Sequence, residues 1–193
     1  MIEKTLVIIK PDGVQRGLLG EILGRFERAG LKIVGMKLAW PSEELVGQHY
    51  ADDDDYNRGV GERALANAKE HGTESSEDPL AIGQRVRAAN MKYLSTGPVL
   101  ALVLKGNTAI QTTRNIIGGT NPLSADIGTI RGDLSVDDFS QADIEKRAVR
   151  NLMHASSEPA EAEREIALWF TAEEIHDYQT VMDKVLHDPA WGA

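Results

Sequence analysis

Four short apolar segments, each with the length of a β-strand, divide the chain. Residues 3–9 are rich in β-branched side chains and residues 98–104 are apolar throughout, and both patterns are typical of buried strands. Residues 31–40 alternate loosely between apolar and polar positions, and residues 151–154 form a shorter apolar run. The pattern therefore predicts a sheet of four strands.

Helical patterns lie between and after these segments. In residues 17–29, apolar side chains recur every four positions at Leu18, Ile22 and Phe26, and Gly30 follows as a natural stop. Other helices are predicted from capping residues and composition. They cover 42–50 with Ser42 as cap, 61–71, a segment opening at 79, 107–117 with Asn107 as cap, 143–147, 158–165, and 171–186 with Thr171 and Glu174 as a capping box.

The order of these elements predicts the fold class. Without the small helix at 42–50, the order is β-α-β-β-α-β, the arrangement of ferredoxin-like folds. We therefore expect an α+β protein: a ferredoxin-like βαββαβ sandwich with an antiparallel four-stranded sheet and helical insertions. The length of 193 residues suits a single domain over 1–193, with the insertions at about 51–92 and 134–148.

Composition and charge narrow the function. The chain has no cysteine, so disulfides and thiolate chemistry are excluded. No signal-like segment or apolar run of membrane-spanning length is visible, and we expect a cytoplasmic protein without membrane partners. The formal net charge of −9 disfavours nucleic-acid binding, but a small anionic ligand remains possible where basic side chains converge.

Residues 151–165 contain the first candidate chemistry. His154 is followed by a hydroxyl at Ser156 and a carboxylate at Glu165. A neutral imidazole can attack an electrophile while a carboxylate on its other nitrogen fixes the tautomer. The alternative is a structural histidine that hydrogen-bonds a helix N-terminus. Lys10 ends the first strand, directly before a Pro-Asp-Gly turn. Two interpretations are open for its side chain as well: a contact to a ligand or a surface charge.

A long polar loop is predicted at residues 120–133. Structureless loops of this length within a compact domain are functional or disordered. This one carries two hydroxyls, an arginine and specific turn residues, which favours a functional loop. The acidic run at 52–55 is interpreted as a solvated face.

Three motifs resemble those of the nucleoside diphosphate kinase family. The first is Lys-Pro-Asp-Gly-Val-Gln-Arg-Gly-Leu at 10–18. The second combines Gly-Thr-Asn-Pro at 119–122 with Gly-Thr-Ile-Arg-Gly-Asp at 128–133. The third is Asn-Leu-Met-His-Ala-Ser at 151–156, with Glu-Ile-Ala-Leu-Trp-Phe at 165–170. The match covers most of residues 3–50, 93–133 and 149–180.

The resemblance implies that the γ-phosphoryl group of ATP passes to a nucleoside diphosphate by a ping-pong mechanism. His154 would accept the group on its pros nitrogen as phosphohistidine and then pass it to the second nucleotide. Lys10, Arg114 and Arg131 would supply positive charge for the phosphate oxygens, and Thr120 would supply a hydroxyl donor.

The remaining matched residues would support the nucleophile and the nucleotide. Glu165 would hold the far nitrogen of the His154 ring, and Ser156 would hold Glu165. Tyr50 matches the tyrosine that the family places near the histidine, and Asn151 matches an asparagine on the sugar and phosphate side of the nucleotide.

The resemblance also implies a cofactor and partners. Mg²⁺ would bridge the nucleotide phosphates and keep mostly water and phosphate ligands, so no protein ligand to the metal is predicted. ATP and nucleoside diphosphates would bind with broad base tolerance. A homo-oligomer, either a tetramer or a hexamer, is expected, with Pro122 in the loop that the family uses for subunit contacts.

The chain departs from the family pattern at several positions. Ala155 and Ser157 stand where the family has glycine and an aspartate near the metal waters. The phenylalanine that stacks on the base has no clear match, with Val86 nearest by position, and Ala148 stands where a base-packing valine is expected. Phosphate chemistry therefore transfers better than base packing.

Two alternatives stay open at this point. The chain could be a catalytically weak relative that binds nucleotides and acts as a regulatory or interaction protein through its insertions. It could also be a ferredoxin-like ligand-binding module without phosphotransfer, which would leave the shared occurrence of three basic residues and one histidine unexplained.

Overall fold

The computed structural model describes residues 2–70 and 75–192. Four strands form one sheet: β1 (Ile2–Ile9), β2 (Lys32–Ala39), β3 (Val99–Asn107) and β4 (Met153–Ala155). Their order is β2-β3-β1-β4, and every neighbouring pair is antiparallel. The predicted α+β class with an antiparallel four-stranded sheet is confirmed. The end of the helix predicted at residue 71 and the start of the polar link at 72 lie outside the described residues.

Helices connect and cover these strands. They are α1 (Pro11–Gln15), α2 (Leu19–Arg28), α3 (Glu43–His49), α4 (Asp54–Glu70), α5 (Pro79–Ser95), α6 (Ala109–Ile117), α7 (Ile130–Leu134), α8 (Phe139–Ile144), α9 (Pro159–Trp169) and α10 (Val181–His187), with 3₁₀ turns at Pro122–Ser124 and Ala172–Glu174. In the parts of the chain that the structure describes, none of the helices combines the length and apolar character needed to cross a membrane.

The central strand β1 explains why the sheet is buried on both faces. Residues 6–9 are fully buried, and alternate side chains of a strand point to opposite faces. Val7 and Ile9 pack in the cluster that contains Phe26 of α2, whereas Leu6 and Ile8 pack with Trp169 of α9. Both faces of the sheet are therefore apolar, and polar groups of the site lie at the strand ends.

Several boundaries in the first half of the chain differ from those predicted. The turn predicted after Lys10 is the start of helix α1, which Pro11 opens at its first position. Helix α4 begins at Asp54 within the acidic run, because acidic side chains favour a helix N-terminus and Asp53 Oδ1 accepts from Tyr56 N at 2.7 Å.

The cap of α6 and the loop after this helix also differ from the prediction. Asn107 is the last residue of β3, and Thr108, with φ of 44°, is the N-cap of α6 instead. The predicted loop at 120–133 contains a 3₁₀ turn and helix α7, so Arg131 lies on a helix. Thr129 caps α7 by accepting from Gly132 N at 3.1 Å. Helix α7 has five residues, too few for a periodic pattern to predict it.

Near the C-terminus, the predicted capping residues are correct, but the helices have other bounds than predicted. Thr171 and Glu174 form the predicted capping box, but the element that begins there is a 3₁₀ turn rather than a long helix. The chain then leaves the helical path, because His176 N donates to Val34 O of β2 at 2.7 Å. Helix α10 starts later, behind a capping box of its own. In residues 134–148, helix α8 covers Phe139–Ile144, whereas the sequence predicted 143–147.

Helices α4 and α5 form a hairpin in which two glycines allow a very close approach. A Cβ atom on Gly61 would lie 1.8 Å from Pro79 O, and one on Gly83 would lie 1.8 Å from Asn57 O. Each glycine of one helix thus faces the backbone of the other. The same hairpin contacts the site region, since Arg87 of α5 donates to Tyr50 O at 3.3 Å.

Replacing Gly61 by alanine tests this packing. The added methyl group would overlap a backbone oxygen, so the helices must separate, and we expect a loss of about 1–3 kcal/mol in the free energy of unfolding. Thermal unfolding followed by circular dichroism measures the change. Gly59→Ala in the same helix is the matched control, because its Cβ would meet only Arg63 Nη1 at 3.6 Å. Equal melting temperatures for the two variants would contradict the close-packing interpretation.

Candidate active site

The ends of β1 and β4 are joined by backbone and side-chain hydrogen bonds that position the site. Lys10 N donates to Leu152 O at 2.8 Å, and Leu152 N donates to Asp12 Oδ2 at 3.2 Å. Leu152 has φ of 65°, in the left-handed region that a leucine rarely adopts. This pair of bonds holds the strained residue, so the chain enters β4 with His154 at a defined position.

Lys10 is buried at this junction. Its Nζ atom donates to Asn151 Oδ1 at 2.7 Å and lies 5.0 Å from the centroid of the Tyr93 ring. Burial, followed by repulsion from Arg131, lowers the pKa of Lys10 to about 7. The cation is therefore poorly compensated inside the protein, a state that a bound anion would relieve.

Arg131 has a structural task that sequence reasoning did not predict. Nε donates to Asn151 O at 3.0 Å, Nη1 to Gly118 O at 2.9 Å and Nη2 to Met153 O at 2.7 Å. The guanidinium thus joins the end of α6 to the segment that precedes His154. Burial, then the nearby Arg114, lowers the pKa of Arg131 to about 10. A guanidinium has five N–H groups, so two remain for a ligand.

The other predicted phosphate contacts lie around these buried cations. Asn151 Nδ2 donates to Thr120 O at 3.0 Å, which places the Thr120 segment beside Lys10. The side chains of Thr120 and Arg114 are exposed, and Arg114 lies in the last turn of α6, near Arg131. The structure therefore brings together Lys10, Arg131 and Asn151, with the two exposed side chains at the rim.

His154, Glu165 and Ser156 form one hydrogen-bonded group. His154 lies on β4 opposite Ile8, and its Nε2 atom lies 3.0 Å from Glu165 Oε2 and 2.9 Å from Oε1. Ser156 Oγ donates to Glu165 Oε2 at 2.7 Å and accepts from Leu6 N at 3.3 Å. Because Nε2 contacts the carboxylate, Nδ1 is the ring nitrogen left for attack.

The electrostatics of this group favour a neutral imidazole. Burial, followed by the charge of Lys10, lowers the pKa of His154 below its ordinary value. Burial raises the pKa of Glu165, whose side chain is 1% exposed. A neutral ring that donates Nε2–H to a carboxylate keeps the lone pair on Nδ1, which nucleophilic attack requires.

His49 is a member of this site to which the sequence motifs assigned no role. It is 2% exposed, and its ring centroid lies 4.4 Å from that of His154 with the planes at 81°. Its Nδ1 atom accepts from Trp169 Nε1 at 3.3 Å and lies 3.4 Å from Glu165 Oε1. Its place directly before Tyr50 at the end of α3 was the only signal that could have indicated it.

Tyr50 reaches the site through His49. The two rings lie 4.9 Å apart at 67°, and burial raises the pKa of Tyr50. The ring of His49 thus lies against both Tyr50 and His154. Ser157, which stands where the family has an acid, is also near a carboxylate, since its N and Oγ atoms donate to Glu161 Oε2 at 2.5 and 2.6 Å.

The donor set of the site does not form a magnesium cage. Among the described residues, one group of three possible ligands lies close together: His49, His154 and Glu165. Two nitrogens and one carboxylate do not suit Mg²⁺, which prefers oxygen ligands and retains water. The three side chains are already hydrogen-bonded to one another or to Trp169 and Ser156. A resident magnesium ion therefore does not fit these residues.

Comparisons with known proteins agree on one family. The family model described as nucleoside diphosphate kinase matches residues 3–58 and 81–175. A nucleoside diphosphate kinase of Pyrobaculum aerophilum is 45% identical over 179 residues, covering 90% of this chain and 98% of that protein. One from Archaeoglobus fulgidus is 40% identical, covering 92% of this chain and 93% of that protein.

Solved structures show the same similarity. The crystal structure of an NDP kinase from Pyrobaculum aerophilum has a TM-score of 0.87 and 42% identity, and the match covers 92% of this chain and all of that one. A nucleoside-diphosphate kinase from Borrelia burgdorferi, solved as a transition-state mimic with vanadate and ADP, has a TM-score of 0.79 and 35% identity, with 95% and 96% of the two chains covered.

The four-stranded sheet and its helices have the ferredoxin-like fold of a family of phosphotransferases. The chain belongs to the nucleoside diphosphate kinase family.

Ser156→Ala tests the importance of the donor to the buried carboxylate. We expect the free energy of unfolding to fall by about 2 kcal/mol, because a hydrogen bond to a charged, buried acceptor is lost. Equilibrium urea unfolding measures the change. The matched control is Ser157→Ala, at an exposed serine, for which the expected loss is about 0.5 kcal/mol. Similar losses in both variants would show that Glu165 does not depend on Ser156.

Proposed function

We propose that His154 carries the phosphoryl group in a ping-pong reaction between two nucleotides. As a nucleoside diphosphate kinase, the chain is a phosphotransferase that moves the γ-phosphate of a nucleoside triphosphate to a nucleoside diphosphate. The observation that carries the proposal for His154 is the contact of its Nε2 atom with buried Glu165, which leaves Nδ1 for attack beside the cations Lys10 and Arg131.

In the first step, the lone pair of His154 Nδ1 attacks the γ-phosphorus of ATP. The N–P bond forms as the bond to the bridging oxygen breaks, and the electron pair leaves with ADP. The ring becomes a cation with its proton still on Nε2, and the Glu165 carboxylate balances that charge at 2.9 Å. In the second step, an oxygen of the acceptor diphosphate attacks the same phosphorus, and neutral His154 is released.

Five side chains are proposed to hold the phosphates and the ribose: Lys10, Arg114, Thr120, Arg131 and Asn151. Phosphoryl transfer depends mainly on positioning and on neutralising charge on the oxygens. The short bond between Lys10 Nζ and Asn151 Oδ1, at 2.7 Å, supports a shared role for these two residues. None of the five is proposed to bind a base edge, so we expect broad base tolerance.

Magnesium is proposed to enter as part of the substrate. The ion would be held by the nucleotide phosphates and water, since Mg²⁺ prefers oxygen ligands and retains water. Ser156 and Tyr50 are proposed to act on the nucleophile indirectly, Ser156 through Glu165 and Tyr50 through the ring of His49.

The chain is also proposed to form a homo-oligomer, either a tetramer or a hexamer. The edge strand β2 supports this proposal, because its alternate residues Met36 and Leu38 are 56% and 62% exposed, and Trp40, just after the strand, is 69% exposed. Pro122 is the proposed loop contact. The expected cytoplasmic location stays a prediction.

We further propose a single domain with insertions at about 51–92 and 134–148. The gap in the family match at residues 59–80, within the α4–α5 hairpin, supports the first insertion. Val86 lies half-buried on α5, and it stays the proposed neighbour of the base. Ala148 is buried and stands at the other expected base-packing position.

Isotope labelling tests the phosphohistidine. The protein is incubated with γ-labelled ATP and Mg²⁺, and we expect an acid-labile, alkali-stable label that transfers to added diphosphate. His154→Ala should take up no label, because the attacking nitrogen is gone, whereas the control His187→Ala should label normally. A wild-type protein that takes up no label would instead favour a nucleotide-binding protein without transfer, and labelling of His154→Ala would remove His154 from the mechanism.

The lowered pKa of Lys10 generates a prediction for proton uptake on binding. With a pKa of about 7, the unliganded lysine is charged below pH 7 and mostly neutral at pH 8. A bound polyphosphate stabilises the charged form, so ADP binding at pH 8 should take up as much as about one proton per site.

Isothermal titration calorimetry at pH 8, in two buffers of different ionisation enthalpy, measures this uptake. Lys10→Met should abolish most of it, because the neighbouring Arg131, with a pKa of about 10, stays charged at pH 8. Lys37→Met, on β2 in an ion pair with Glu174, is the control and should leave the uptake unchanged. Binding of ADP to the wild type without proton uptake would contradict the lowered pKa.

A further inference from the structure

The buried end of α3 places a second histidine against the nucleophile. His49 is held there by backbone contacts from two other helices. Arg87 of α5 donates to Gly47 O and Ala51 O, each at 3.1 Å, and Arg164 of α9 donates to Gln48 O at 3.2 Å. The position of this ring is therefore set by three helices, and its protonation state bears directly on Glu165.

Trp169 determines which nitrogen of His49 carries the proton. The indole N–H can only donate, and its acceptor is His49 Nδ1 at 3.3 Å. Nδ1 accepts only when its lone pair is free, so the proton of the neutral ring then resides on Nε2. Among the described residues, the buried His49 Nε2 atom has no hydrogen-bond partner in either tautomer. The opposite tautomer would additionally leave the Trp169 N–H unpaired inside the protein.

The tautomer matters because His49 Nδ1 also approaches Glu165. The Nδ1 atom lies 3.4 Å from Glu165 Oε1, and the same oxygen lies 2.9 Å from His154 Nε2. A proton on His49 Nδ1 would make it a second donor to this oxygen. The carboxylate would then share its negative charge between two imidazoles, and it would balance the cation that forms on His154 less well.

We propose that Trp169 is a positioning residue for phosphoryl transfer: it locks His49 in the tautomer without a proton on Nδ1 and so reserves Glu165 for the nucleophile. The role rests on the proposed function of His154. Trp169 is 3% exposed and does not touch the reacting atoms; it acts through His49.

Nitrogen NMR of the histidine side chains tests the lock without any change in the chain. The protein has five histidines, which keeps the spectrum simple. In the wild type we expect His49 to carry its proton on Nε2, with Nδ1 as an acceptor. A proton on Nδ1 of His49 overturns the proposal whatever the activity of the enzyme.

Rapid-quench measurement of His154 phosphorylation by Mg-ATP tests the consequence. Trp169→Phe frees His49 Nδ1 to take the proton and donate to Glu165, so we expect the phosphorylation rate to fall about tenfold, with ADP affinity within about twofold of wild type. The NMR signals of His49 should report the changed tautomer in this variant. Trp191→Phe, at an exposed tryptophan, is the matched control and should keep the wild-type rate.

A second substitution separates the lock from simple packing. In the double variant His49→Phe/Trp169→Phe, the aromatic ring at 49 is kept but cannot donate to Glu165. We expect most of the lost phosphorylation rate to return, whereas a packing defect at Trp169 would persist or worsen. A double variant as slow as Trp169→Phe overturns the proposal. If the wild type fails to label at all, the proposed function fails, while the NMR result still decides the tautomer.

Discussion

A carboxylate that is cut off from water needs hydrogen-bond donors and a compensating charge. In this protein that carboxylate is Glu165, which is 1% exposed and contacts His154, Ser156 and His49. Its burial disfavours the ionised state, and the hydrogen bond from Ser156 opposes that effect. Each of these contacts also limits where the side chain of His154 can point. The buried charge therefore orients His154, the proposed nucleophile, and the rest of the site is arranged around it.

This constraint explains unusual features of the backbone. Strand β4 has three residues and carries His154 in its middle, so a small shift of β4 would move the imidazole away from Glu165. Leu152, in the left-handed conformation, directly precedes β4 and is held by hydrogen bonds with Asp12 and Lys10 N. Arg131 donates to the carbonyl oxygens on either side of it, those of Asn151 and Met153. Strained residues persist only where surrounding contacts hold them. The residues proposed to bind phosphate are thus also those that fix the strand of the nucleophile.

The sequence predicted the parts of this arrangement that depend on local chemistry. Apolar runs predicted all four strands, and the cap at Ser42 predicted the start of α3, whose end carries His49 and Tyr50. Local sequence patterns did not predict the individual hydrogen bonds between segments that are distant along the chain. The clamp formed by Arg131 depends on backbone carbonyls, which carry no sequence signal, and the role of His49 depends on the indole of Trp169, distant along the chain. Short elements such as α7 also escaped, because five residues are too few for a helical period.

The proposed selectivity for phosphate has to be reconciled with a net charge of −9. The surface as a whole repels extended polyanions, so long-range attraction does not bring the substrate in. Lys10 and Arg131 are instead buried close together: burial and the charge of Arg131 lower the pKa of Lys10, and burial and the charge of Arg114 lower the pKa of Arg131. Two poorly compensated cations raise the free energy of the empty site. We expect a compact phosphate group placed between them to relieve this repulsion. On the proposed function, selectivity for small nucleotides then follows from the burial of the cations rather than from their number.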